Sequence, residues 1–179
     1  MFINQKILKL LIFIFCFNIF SSISQTNEDV PLNNIAINET PIPIRSLIFE
    51  DFSGKKIDLQ DYEGKLLIIN FWATWCAPCK REMPSLDNLY QNKNFKNLEI
   101  FAVNMEQPNK IKTQNFFKDL NIKKLKIFFD KNLNFVKEFK LRGVPTTILI
   151  NKNGERFARI IGEINFEDKK FINWLSKYD

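Results

Sequence analysis

An apolar run, Leu66-Leu-Ile-Ile69, leads straight into Asn70-Phe-Trp-Ala-Thr-Trp-Cys-Ala-Pro-Cys79, and an amphipathic stretch follows from Pro78 to about Asn92. The run is short enough for a buried strand, and the stretch after it spaces its apolar residues as a helix does. A strand therefore hands over to a helix with two cysteines at the junction. Unpaired backbone N–H groups and the positive end of the helix dipole gather there, so Cys76 is expected to titrate below a free thiol. A low-pKa thiol three residues from a second one is a redox pair.

Other uses of two cysteines fit less well. Structural zinc needs four ligands, and the chain has no histidine and one further cysteine, Cys16. No metal site is expected. A stabilising disulfide gains most by closing a long loop, whereas Cys76 and Cys79 close almost none. Haem attachment requires a histidine directly after the second cysteine, where Lys80 stands.

With 179 residues the chain has room for one domain and a real core. Its formal net charge of +6 comes from lysines scattered among carboxylates, with no basic stripe, so nucleic-acid binding is not expected. Residues 1–24 carry Lys6 and Lys9, then an apolar run from Leu10 to Phe20, then the small residues Ser22 and Ser24. This is an export signal, or a membrane anchor if it is retained. Residues 25–43 are polar, with Pro31, Pro41 and Pro43 and no sustained periodicity, and read as a flexible linker.

A compact pattern fills 44–179. Residues 46–50 and 55–59 read as a hairpin, 66–71 as the central strand, 98–103 as a strand parallel to it and 126–129 as a short one. Residues 146–150 and 156–161 flank Asn151-Lys-Asn-Gly154, a strong turn. Helices are expected at 108–120, with Ile111, Phe116, Phe117 and Leu120 at helical spacing, at 133–139 and at 166–178. The class is α/β, a mixed sheet with helices on both faces.

The stretch from Asn70 to Pro84 resembles the active site of the thioredoxin superfamily, and Trp72-Ala-Thr-Trp-Cys-Ala-Pro-Cys-Lys-Arg-Glu-Met-Pro84 is most similar to its extracytoplasmic TlpA/ResA-type branch. The resemblance implies a thioredoxin fold carrying an N-terminal hairpin and a helical insertion near 108–120. It implies a thiol:disulfide oxidoreductase whose only cofactor is its own redox-active disulfide. Cys76 is then the nucleophile, an exposed thiol at the helix start, and Cys79 resolves the mixed disulfide from a more buried position. Trp75, Ala77, Pro78, Val144 and Pro145 form the surface that meets the substrate, with the Val144–Pro145 bond expected cis.

Cytoplasmic thioredoxins bury an aspartate where this chain has Asn70, which leaves Glu82, three residues after Cys79 on nearly the same helical face, to move the proton. Trp72 reads as core, and Lys80 and Arg81 as solvated helix residues. No histidine separates the cysteines, and a carboxylate nearby disfavours the thiolate, so a reductase is favoured over an oxidant. The resemblance also implies protein disulfides as substrates, in cytochrome c maturation or in assembly of an oxidase copper site, and a membrane electron donor. It places a monomer in the periplasm of a bacterium, free or anchored to the inner membrane.

The residues leave other functions open. An oxidant or isomerase for secreted proteins would use the same pair at a different redox potential. A peroxidase of the peroxiredoxin kind needs a threonine three residues before its cysteine, and Thr74 is two before Cys76. A Cu(I) carrier would draw on the soft thiolates, although carriers of this fold usually add a histidine.

Overall fold

In the computed structural model, which describes residues 32–179, the run after Lys65 forms a strand, β4 (Leu66–Trp72), buried at every position. Side chains alternate along it. Leu66, Ile68, Asn70 and Trp72 point to one face of the sheet, and Leu67, Ile69 and Phe71 to the other. A strand apolar on both faces needs cover on both, and the rest of the chain supplies it.

Before β4 come β1 (Ile35–Pro43), β2 (Ile48–Asp51), β3 (Lys56–Asp58) and a 3-10 turn, Leu59–Tyr62. After it come α1 (Ala77–Leu89), β5 (Leu98–Asn104), α2 (Lys110–Asp119), β6 (Ile127–Phe129) and α3 (Asn134–Phe139). The chain ends with β7 (Thr146–Ile150), β8 (Glu155–Ile161), α4 (Lys169–Leu175) and a closing 3-10 turn, Ser176–Tyr178. The strands make one mixed sheet in the order β1-β8-β7-β4-β5-β6-β2-β3. β4 is parallel to β5 and antiparallel to β7, the arrangement expected of a thioredoxin fold.

Met83 and Leu86 of α1, Phe116 and Phe117 of α2, and Phe171 and Trp174 of α4 pack with Ile68 and Trp72 on one face. The opposite face gathers Phe49, Phe101, Phe128, Phe135 and Phe139 around Ile69 and Phe71. Phe49 meets Phe101, Phe128 and Phe135 with ring centres 5.1 to 5.5 Å apart. Pairs of this kind contribute about 0.5–1.5 kcal/mol each beyond the area they bury.

One expectation needs correction. Residues 25–43 are not linker throughout, because β1 pairs antiparallel with β8 at the sheet edge. An edge strand needs little apolar pattern and tolerates proline, since many of its backbone groups have no partner to lose. Its register shifts between Ile37 and Ile42, and Asn38 Nδ2 donates to the Arg156 carbonyl at 2.8 Å within that interval. The folded unit thus begins before residue 44, while the leader 1–24, Cys16 and the start of the expected linker lie outside the described residues.

Of the apolar residues at helical spacing in 108–120, Ile111 is 74% exposed. The buried face of α2 runs through Thr113, Phe116 and Phe117 at helical spacing, and Ile111, two residues before Thr113, falls on the opposite side. Among the described residues no helix is long and apolar enough to cross a membrane.

Candidate active site

Cys76 is the N-cap of α1, and its sulfur accepts the Cys79 backbone N–H at 3.2 Å. The two cysteines are joined in a disulfide, with Cα atoms 5.3 Å apart. Pro78 sits in the first turn, where a missing N–H costs nothing. The expectation of an exposed thiol is corrected, since Cys76 is only 3% exposed and Cys79 is fully buried. As a cap, Cys76 turns its sulfur back over the first helical turn instead of outward. Cys79 remains the deeper of the two.

The sheet register gathers the rest. Phe71, near the end of β4 that leads to the cysteines, pairs with Thr146, so the turn before β7 lies beside the redox pair. That turn holds Val144 and Pro145, joined by a cis bond as expected. It is tied down by Thr146 Oγ1, which donates to the Gly143 carbonyl, and by the Gly162 N–H, which donates to the Pro145 carbonyl. Val144 and Pro78 are half-buried, Ala77 is exposed, and Trp75 stands 70% exposed beside Cys76. Trp72 is core, its ring stacked 4.5 Å from that of Phe116. Lys80 and Arg81 are exposed, and Arg81 Nε pairs with Glu163 Oε2 at 2.8 Å.

Glu82 is buried on the face of α1 that meets the sheet. Its Oε1 accepts from Asn70 Nδ2 at 2.8 Å, and its Oε2 from the Ile164 N–H at 3.3 Å. Burial pushes its carboxyl up to about 7, and the charge of Glu163 adds to the rise against the two hydrogen bonds. Asn70 also donates to Thr147 Oγ1, and its own Oδ1 is buried without a partner. Turning that amide over would let a protonated Glu82 donate to Oδ1, so the pocket can hold either form of the acid.

One carboxylate escapes any reading of the motif. Glu106, just beyond β5, accepts from the Thr74 N–H at 2.6 Å and from Thr74 Oγ1 at 3.0 Å, which staples the turn that carries Trp75 and Cys76. Burial raises this carboxyl, but the bonds from Lys112, Thr74 and Asn104 outweigh it and hold the group down at about 2. Replacing Glu106 with alanine should cost about 2 kcal/mol at pH 7, because a buried N–H loses its acceptor. A depressed carboxyl stabilises the fold above its unfolded value and loses that contribution as pH falls through its folded one. The deficit should therefore shrink between pH 4.5 and about 2, which urea titrations across that range would measure.

Among the described residues no group of three or more Cys, His, Asp or Glu side chains is placed to hold a metal. Residues 41–155 match the AhpC/TSA family. The chain is 36% identical over 118 residues to the thiol-disulfide oxidoreductase ResA of Bacillus cereus, covering 66% of this chain and 67% of that one. The Bacillus subtilis ResA is 32% identical over 162 residues, 90% of this chain and 85% of the relative. Among solved structures, StoA from Bacillus subtilis superposes with a TM-score of 0.60 at 26% identity, over 73% of this chain and 96% of that one. With a cysteine pair at the head of α1 and a cis proline beside it, the chain belongs to the AhpC/TSA family, as a thioredoxin-fold thiol:disulfide oxidoreductase similar to the ResA proteins.

Proposed function

We propose that this chain is a protein-disulfide reductase working outside the cytoplasm, recharged by a thiol-bearing electron donor in the membrane. The observation that carries the reading is the buried Glu82 carboxyl, poised near neutrality one helical turn from Cys79. A general base works best when its pKa lies near the operating pH. In the reduced protein the Cys76 thiolate attacks a client disulfide and releases one client sulfur as a thiolate. Glu82 then takes the proton of Cys79, whose thiolate attacks Cys76 and expels the second client thiolate, closing the Cys76–Cys79 bond. Two electrons pass to the client, and its two thiolates take up the two protons given up by the cysteines.

The same carboxylate disfavours a stored thiolate and there is no histidine to stabilise one, which sets the pair on the reducing side. Equilibration with glutathione should give a potential below about −220 mV. A value near that of a strong oxidant, about −120 mV, would sink the reductase reading. The clients fitting this chemistry are disulfides in cytochrome c maturation or in assembly of an oxidase copper site. Trapping with Cys79→Ser, which stops the reaction at the mixed disulfide, would identify them.

Trp75 offers a large amphipathic surface next to the reacting sulfur. Trp75→Ala should change stability by less than about 0.5 kcal/mol, as an exposed substitution does. It should raise KM for a protein client several-fold and leave the turnover of a small disulfide unchanged, which steady-state kinetics on both substrates would check.

A further inference from the structure

Resting on the assignment of Glu82 as the proton acceptor, we propose that its carboxyl exchanges protons with solvent through a side cleft between α1 and the 162–166 loop. The Arg81–Glu163 ion pair spans this cleft, and the mouth that a docked client occupies is not the route. The cleft encloses about 340 Å3 and is lined by Arg81, Glu82, Ser85, Glu163, Ile164 and Asn165. It shares no residue with the rim formed by Trp75, Ala77, Pro78, Val144 and Pro145.

Helix geometry places Glu82 between the two spaces. Cys79 lies one turn before it and Ser85 one turn after, so the carboxyl has the thiol on one side and the cleft on the other. Its oxygens divide in the same way. Oε1 is held by Asn70 of β4 in the core, while Oε2 meets the Ile164 N–H of the loop that walls the cleft. Ser85 Oγ accepts the Phe166 N–H at 3.0 Å, which keeps that wall against α1.

The charged groups that face Glu82 are Arg81 on α1 and Glu163 on the loop, and Asn70, backed by Thr147 of β7, is neutral. Arg81 and Glu163 are 62% and 40% exposed, and an exposed pair of this kind contributes little and opens readily. The need for such a route arises from the reaction itself. Cys79 loses its proton while the client still covers Cys76, and a Glu82 already protonated when the client docks must first release its own proton to solvent before it can accept that of Cys79. The transfer is from Cys79 Sγ to the Glu82 carboxylate and then to solvent in the cleft, with no electrons moved.

The test compares two substrates on the full chain, a disulfide-bonded protein that covers the mouth and a small disulfide that does not. Glu163→Gln removes the charge without filling the cleft and serves as the reference. Against it, Glu163→Trp should slow resolution of the protein mixed disulfide by about tenfold and leave the small disulfide unaffected. Asn165→Trp, which fills the cleft from a second position on the loop, should do the same. Equal slowing of both substrates, or of neither, would overturn the cleft route. Glu82→Gln separates the two assignments: if it slows both substrates, the role of Glu82 stands whatever the cleft variants do. If it slows neither, that role falls and the cleft route falls with it.

Discussion

Cys76→Ser should abolish disulfide reduction, with turnover of a model disulfide-bonded protein falling at least about a thousandfold to the uncatalysed background. The hydroxyl of serine is far too weak a nucleophile to open a disulfide, and Cys79, fully buried, cannot reach a client in its place. The fold should survive. The bridge closes the shortest of loops, so its loss releases little unfolded-chain entropy. Circular dichroism and a denaturation curve near that of the reduced wild type would show this. Cys79→Ser should behave differently, since its Cys76 thiol still attacks and then stalls as a covalent adduct visible on a non-reducing gel. If Cys76→Ser retained activity, or if no adduct formed with Cys79→Ser, the order of attack assigned to the two sulfurs would be reversed or wrong.

The second large effect is the response of Glu82→Gln to pH. A carboxyl that rises from 4.5 to about 7 on folding binds its proton more tightly in the native state. Between those values the native state holds more protons than the unfolded one, so stability falls as pH rises. The loss begins near pH 4.5 and is complete above pH 7, and at about 1.4 kcal/mol per unit it reaches about 3 kcal/mol. Glutamine has no charge to bury. In the oxidised form, Glu82→Gln should gain about 3 kcal/mol on the wild type between pH 4 and pH 8, while crowding of its amide against that of Asn70 subtracts the same amount at both. The resolving step should slow by about a hundredfold and lose its midpoint near neutrality. Parallel urea curves at the two pH values, or an unchanged pH–rate profile, would show that Glu82 titrates as a surface acid does.

These opposite consequences have one origin. The environment that brings the Glu82 carboxyl near neutrality, as the proposed base role requires, is the one that makes its charged form expensive to bury. Sites that keep a carboxyl near neutrality commonly give up stability in this way.

Much of the molecule was legible along the chain because it rests on short-range pattern. The apolar run at 66–69, the start of the helix at the cysteines and the turn at Asn151-Lys-Asn-Gly154 depend on neighbours a few residues away, and the strands and helices they imply are those observed. The cis proline and the identity of Glu82 as the acid to watch came from resemblance to a family, since no local pattern reveals either. β1 leaves little trace in the sequence because an edge strand is held by backbone pairing with a segment more than a hundred residues away and carries almost no pattern of its own. Glu106 carries no local signal for the same reason, its partner Thr74 lying 32 residues earlier.

The sequence alone determined where the chemistry sits: two cysteines at a strand-to-helix junction define a redox pair through the local direction of the chain and the exposed amides of a helix start. The tertiary structure decided how that pair is tuned. Glu82 owes its burial to Asn70, 12 residues away, and to Ile164, 82 residues away. Periodicity along a chain reports which face a side chain takes, whereas desolvation depends on everything that closes over it, and that is settled only when distant segments meet.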